Sequence, residues 1–362
     1  MEKNMLLIVN PKAGKGTIRK KLPKIIKNFE KRGYEAKTVY TKIDYKSSDI
    51  LKDNKKEWDL IVCCGGDGTL NELINAVMKS DKKPQIGFIP LGTMNDFART
   101  IRLSTKKTFL AKNIDEGNII PSDIGKINNS YFNYVAAFGA FTPVSYVTSH
   151  KLKRKFGKLA YFIVAMKYLN KIRGYKITIE AEGQTVTDEF AFGSISNSKS
   201  VGGFEWFKRS GVKINDGEFE MLFIRKPHNI IGYIKTIFAI LFRKHNNKKY
   251  FEYYQTNKIK ITSEAGIPWT IDGEFGGRKK EVEINNINMA IEYIIPMWNE
   301  RGTDPFRFTL KKLIKNYCIL YICFAIIEKM KRGRKMRNYV EKANLTINVI
   351  AFFIVALFLF IF

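Results

Sequence analysis

Short apolar runs alternate with helical periodicity through the first third of the chain. Residues 6–9, 34–40, 60–64 and 86–90 read as strands. Between them, residues 17–32 set Leu22, Ile25, Ile26 and Phe29 on one helical face, and residues 69–79 do the same with Leu70, Leu73, Ile74 and Val77. This alternation predicts a parallel sheet with helices on both faces. After residue 119 strand-like pieces dominate, at 122–127, 131–136, 175–181, 185–196, 218–223, 258–262, 269–271 and 281–284. Two helical stretches interrupt them, near 155–172 and 228–243, and a last strand-like run covers 287–295.

The expected fold class is α/β plus β. An N-terminal Rossmann-like parallel α/β domain takes residues 1–120, and a second, mainly antiparallel β-sandwich domain takes 121–286. Residues 287–300 are expected to return to the first domain. Residues 301–342 form a basic linker around a short apolar segment, 317–327. A hydrophobic C-terminal helical tail follows at 343–362. That segment carries no charge, and about twenty such residues suffice to cross a bilayer core as a helix. Lys329, Lys331, Arg332, Arg334, Lys335 and Arg337 precede it, which places that side in the cytoplasm. The tail is therefore expected to anchor the protein at the cytoplasmic face of the cell membrane; the competing expectation is a helix packed on the protein or on a second subunit.

Charge sharpens this only a little. Lys and Arg outnumber Asp and Glu by 62 to 34, a formal +28. Such a surplus attracts anionic lipid, polyphosphate or nucleic acid, and biased composition produces it equally well, so charge alone selects no partner and nucleic acid is not expected. Cys63 and Cys64 adjoin within an apolar run, and Cys318 and Cys323 lie in the hydrophobic C-terminal part. Neither spacing makes a zinc site or a disulfide framework. A reducing compartment fits, and the apolar start at residues 5–9 is too short for a signal peptide.

Three glycine-bearing turns follow three strands of the first domain, where parallel sheets bind ligands. The first is Asn10-Pro-Lys-Ala-Gly-Lys-Gly16. Its glycines let backbone N–H groups approach phosphate oxygens, and Lys12 and Lys15 add charge. Gly16 stands where a Walker A loop needs Ser or Thr. The second is Gly65-Gly-Asp-Gly-Thr-Leu-Asn-Glu72, in which Asp67 opens a helix and Gly68 clears room for a nucleotide. The bland alternative makes Asp67 a helix cap. The third, Pro90-Leu-Gly-Thr-Met-Asn-Asp96, brings Thr93, Asn95 and Asp96 to the same sheet edge.

The second and third turns together resemble the diacylglycerol kinase catalytic domain family, whose members include bacterial soluble diacylglycerol kinases and sphingosine and ceramide kinases. NAD kinases and phosphofructokinases share a related Gly-Gly-Asp-Gly-Thr turn, but the Asn10-Pro11 opening and the late Asp272-Gly-Glu274 are similar to the lipid-kinase branch. Asn215-Asp-Gly217 matches a further family turn. The resemblance runs from about residue 6 to about 295.

It implies a lipid kinase using ATP and Mg²⁺, most simply phosphorylating diacylglycerol to phosphatidic acid. The implied nucleotide site comprises Asn10, Pro11, Lys12, Ala13, Gly14, Thr41, Gly66, Asp67, Gly68, Thr69, Leu70, Asn71, Glu72 and Thr93. Glu274 is implied as the base that deprotonates the acceptor hydroxyl, with Asp67, Asp96 and Asp272 in the catalytic group. A structural Mg²⁺ is implied at Lys213, Asp216 and Glu218, and Asp216 also matches the family's water-mediated catalytic Mg²⁺ network. Residues 207–211, Phe-Lys-Arg-Ser-Gly, depart from the small residues and Pro that relatives carry there. The implied partners are a membrane lipid and an anionic bilayer surface, and a homodimer stays open. Residues 132–170, with aromatic positions beside Lys151, Lys153, Arg154, Lys155 and Lys158, fit such a surface and fit a β-domain core with a solvated helix face equally well. Two rivals remain: an NAD kinase-like enzyme acting on a soluble dinucleotide, and a non-catalytic lipid-binding regulatory protein.

Overall fold

The computed structural model describes residues 3–103 apart from Thr17, Lys55, Met94 and Arg102, then 117–139, 173–197, 213–229 and 247–296, with single positions between 232 and 239. In the first part, β1 (Lys3–Val9), β2 (Tyr34–Tyr40), β3 (Leu60–Gly65) and β4 (Gln85–Pro90) pair in parallel in the spatial order β4-β3-β1-β2. Alternate residues of β1 and β3 feed two cores. Met5, Leu7, Val9, Leu60, Val62 and Cys64 pack with α1 (Leu22–Glu30). Leu6, Ile8, Ile61 and Cys63 pack with α2 (Ser47–Asp53), α3 (Asp67–Val77) and α4 (Asp96–Thr100). Burial on both faces explains why these strands read as unbroken apolar runs.

Two helix boundaries moved, each for a local reason. α1 begins at Leu22 rather than at 17, with Pro23 in its first turn, where the fixed φ and missing N–H cost nothing. α3 begins at Asp67, inside the glycine-rich turn. Neither α2 nor α4 was anticipated, because seven and five residues are too few to show a helical period.

The second part comprises β5 (Gly117–Ile127), β6 (Ser130–Phe132), β7 (Val135–Gly139), β8 (Tyr175–Ala181), β9 (Gln184–Ser196), β10 (Phe219–Arg225), β11 (Phe251–Thr256), β12 (Lys258–Ile271) and β13 (Glu274–Pro296). All their pairings with one another are antiparallel. One face of them encloses a core in which Phe138 meets Trp269 edge-on at 5.1 Å between ring centroids, and Val135, Ala137, Phe192, Leu222 and Ile224 from the same strands join the core of α3 and α4.

The strand pattern differs from expectation in four places. Residues 131–136 split into β6 and β7, because Asn133 and Tyr134 turn their backbone N–H groups onto the carboxylate of Asp272. The pieces at 258–262 and 269–271 belong to one strand, β12, interrupted by shifts of register against β13. Those at 281–284 and 287–295 likewise merge into β13, 23 residues long, and β11 was not anticipated. β13 leaves its antiparallel partners and pairs in parallel with β4 through Tyr293↔Ile86 and Ile294↔Gly87. The described strands therefore form one 13-stranded sheet rather than two separate ones.

The helical stretch at 155–172, most of that at 228–243, the basic residues 301–342 and the tail 343–362 lie outside the described residues. Among the described residues no helix is long and apolar enough to cross a membrane.

Candidate active site

The three glycine turns meet at the carboxyl ends of β1, β3 and β4. Asn10 ties the first to the second: its backbone N–H donates to Cys64 O at 2.9 Å, and its side-chain Nδ2 donates to Thr69 Oγ1 at 3.0 Å. Lys12 N–H in turn donates to Asn10 Oδ1 at 3.0 Å. Gly14, at φ +56°, backs onto the third turn so closely that a Cβ there would lie 2.8 Å from Leu91 O. The second and third turns touch through Gly66 and Gly92, where a Cβ on Gly66 would lie 3.2 Å from the Gly92 Cα. These glycines are required by backbone contact. Thr41 joins from the end of β2, donating its N–H to Val9 O at 3.0 Å. Lys12 and Thr93 are exposed, Pro11 and Ala13 half-buried. Leu70 is 1% exposed and packs in the core below the turn, so its side chain supports the loop from beneath.

Asp67 is the first residue of α3, after Gly66 at the cap position, and its side chain does not cap the helix. The carboxylate instead accepts backbone N–H groups from Asn95 and Asp96 across the gap to the third turn. Although the residue is half-buried, its Oδ1 is sealed from solvent and has no hydrogen-bond partner; Asn95 Oδ1 is in the same condition. Burial pushes the Asp67 carboxyl up to about 7, and the nearby charges of Asp96 and Asp272 push the same way. Asn95 holds a left-handed backbone conformation, φ 52° and ψ 48°, and its Nδ2 donates to Gly92 O at 2.9 Å.

The late Asp-Gly-Glu lies on the hairpin between β12 and β13. Asp272 and Gly273 both have positive φ, 45° and 85°, as a tight two-residue hairpin turn demands. The buried Asp272 carboxylate takes four hydrogen bonds. Oδ2 accepts from Asn71 Nδ2 at 2.7 Å and Asn133 N–H at 2.6 Å; Oδ1 accepts from Tyr134 and Val135 N–H, each at 3.0 Å. Those bonds hold the hairpin to α3 and to the chain between β6 and β7.

Glu274 is exposed and projects over the second turn: a Cβ on Gly68 would lie 3.0 Å from Glu274 Oε1. Glu72, one helical turn further along α3, is its neighbour. Burial raises the Glu72 carboxyl, the ion pair with Lys46 at 3.6 Å draws it back down, and the charge of Glu274 raises it further. Lys46 was not singled out from the sequence, where an isolated Lys in a Lys-rich loop carries no signal.

Lys213, Asp216 and Glu218 are exposed residues of the turn before β10. Asp216 Oδ1 accepts Glu218 N–H at 3.3 Å. Beneath the turn lies Asp123, 0% exposed, which sequence reasoning missed. Its carboxylate accepts from Gly217 N–H at 2.7 Å, Asn286 Nδ2 at 3.2 Å and Met289 N–H at 2.8 Å. Among the described residues no group of three or more His, Cys, Asp and Glu side chains is disposed to hold a metal.

Three glycine turns at the carboxyl edge of the parallel strands thus face a carboxylate carried in from the antiparallel strands of the same sheet. Residues 4–127 match the family model described as diacylglycerol kinase catalytic domain. A diacylglycerol kinase of Bacillus subtilis (strain 168) is 32% identical over 296 residues, covering 81% of this chain and 97% of the relative. One from Staphylococcus carnosus (strain TM300) is 33% identical over 301 residues, covering 82% and 96%. Two solved structures from Bacillus anthracis str. Sterne share the fold. The first, a diacylglycerol kinase, has a TM-score of 0.63 at 21% identity, covering 83% of this chain and 98% of its own; the second has a TM-score of 0.69 at 24% identity, covering 83% and 97%. The chain belongs to the diacylglycerol kinase family.

Proposed function

We propose that the enzyme transfers the γ-phosphoryl group of ATP to the free hydroxyl of diacylglycerol, giving phosphatidic acid. One observation carries this reading: the Glu274 carboxylate stands over Gly68, beside the turns that would hold the triphosphate. A hydroxyl placed between the two meets a proton acceptor on one side and the phosphoryl group on the other. Phosphoryl transfer has a loose transition state, so positioning and charge neutralisation suffice. Asn10, Gly14, Gly66, Gly68 and Thr93 would present N–H groups and hydroxyls to the phosphates. Asp67 and Asn95, each with a buried oxygen lacking a donor, suit a hydrated Mg²⁺. When bound, that ion would offset charge developing on the transferred group. Diacylglycerol as acceptor is supported by the relatives, which carry that activity in their names.

The test is incubation of the purified protein with labelled ATP, Mg²⁺ and a panel of diacylglycerol, ceramide, sphingosine and NAD. Label is expected in phosphatidic acid; label in NADP alone would replace this reading with the dinucleotide one. We further propose that the enzyme works at the cytoplasmic face of a membrane and meets its substrate there. The uncharged stretch 343–362 behind a cluster of Lys and Arg supports this. Deleting residues 343–362 is expected to move the protein from the membrane pellet to the soluble fraction; unchanged pelleting would count against the anchor.

A further inference from the structure

Helix α3 carries the nucleotide turn at its first residues and touches the antiparallel part of the sheet further along. The second contact is made by amide side chains one helical turn apart. Asn75 Nδ2 donates to Tyr131 O at 2.8 Å, and Asn75 Oδ1 accepts Tyr131 N–H at 2.9 Å. The side chain thus satisfies both polar backbone groups of one residue of β6, as a neighbouring strand would. Asn75 Nδ2 also reaches Asn71 O at 3.0 Å and Asn71 Oδ1 at 3.2 Å. Asn71 Nδ2 shares Tyr131 O at 3.1 Å and grips Asp272 Oδ2 at 2.7 Å. Two residues beyond Tyr131, Asn133 N–H binds the same Asp272 oxygen. Asp272 opens the hairpin that ends in Glu274, and Glu274 returns over Gly68. Gly68, Glu274, Asp272 and Asn71 form a loop that begins and ends on α3, and Asn75 with Tyr131 braces it one helical turn further on.

We propose that Asn75 is a positioning residue of this enzyme, fixing α3 against β6 so that Glu274 stands at the right distance from the Gly65–Thr69 turn. The proposal rests on the kinase reading above and adds a residue that reaches neither nucleotide nor acceptor. An apolar side chain at position 75 would pack on the helix equally well. It could not pair with both groups of Tyr131, which would leave Asn71 alone to hold α3 against β6. The nucleotide turns are bound to one another through Asn10, Gly14, Gly66 and Gly92, so loss of the Asn75 brace leaves them intact.

The experiment compares wild type, Asn75→Ala, Asn75→Asp, Asn71→Ala and the Asn71→Ala/Asn75→Ala pair in the full chain, with kcat, KM for ATP and nucleotide affinity measured for each. Asn75→Ala is expected to lower kcat about tenfold or more, with KM for ATP and nucleotide affinity within about twofold. Asn75→Asp keeps the acceptor for Tyr131 N–H and should fall between. The double variant should lose less than the product of the two single losses, because both side chains hold Tyr131 O and each other. Unchanged kcat in a folded Asn75→Ala overturns the proposal, as does equal loss of kcat and nucleotide affinity. Should Asn75→Ala not fold, Asn75→Asp decides on the same criteria. Absence of activity in the wild type would instead strike at the kinase reading itself.

Discussion

Replacing Glu274 by Ala is expected to reduce kcat by about a thousandfold while nucleotide affinity stays within about twofold. The expectation follows from where the carboxylate sits. It is exposed, so it can accept a proton and pass it to water, and it overhangs Gly68 without belonging to any of the three turns. The turns are held together by Asn10 on Thr69 and by backbone contact at Gly66 and Gly92, none of which involves Glu274. Removing its side chain should leave the triphosphate cradle standing and take away only the proton acceptor. Glu274→Gln keeps the volume and removes the basicity, and it should lose a similar factor. Steady-state kinetics give kcat, and calorimetric titration with a non-hydrolysable ATP analogue gives the affinity. Normal turnover in either variant would remove Glu274 from the chemistry.

The first half of this arrangement was legible in the sequence because its determinants are local. Runs of apolar residues marked β1, β3 and β4, and each glycine turn adjoined the strand that positions it. Periodicity alone found α3, since Leu70, Leu73, Ile74 and Val77 all face the core. The rest depends on contacts between residues far apart in the chain. Asn71 and Asn75 sit on the polar side of an amphipathic helix, where a solvated Asn looks the same as one that binds Tyr131 fifty-six residues away. Asp123 lies inside a strand pattern that gives no hint of a buried acid. The length of β13 was hidden by the glycines and cations of 276–280 and by the Asn pair at 285–286, which broke the apolar pattern on either side of 281–284. Within that piece Glu281 and Glu283 pair across the sheet with Lys260 and Lys258. Asp272 shows the limit most clearly. The motif identified the residue, while its four hydrogen bonds, which make it a support for Glu274, became visible only in three dimensions.

Replacing Asp272 by Ala should therefore damage stability as well as turnover. The buried carboxylate accepts the N–H groups of Asn133, Tyr134 and Val135, and it also holds Asn71. Without it those donors lose this charged partner in a dry interior, at a cost of about 3 kcal/mol. Ala also tolerates the positive φ of the turn less well than Asp does. Asp272→Asn separates the two effects, since Asn accepts that backbone conformation but cannot serve four donors. Burial pushes the Asp272 carboxyl up to about 6, against the pull of its N–H partners, whereas in the unfolded chain it titrates at about 3.9. Between these values the folded protein holds the proton more tightly. The stability that the group contributes is thus complete below about 4 and declines as the pH rises through about 6. The variants cannot titrate here, so their deficit relative to wild type should be larger at pH 5 than at pH 7.5, by roughly 1 kcal/mol. Urea denaturation of the three proteins at the two pH values measures this. A deficit that grows from pH 5 to pH 7.5 would mean that the folded state favours the charged form, so that the four donors outweigh burial.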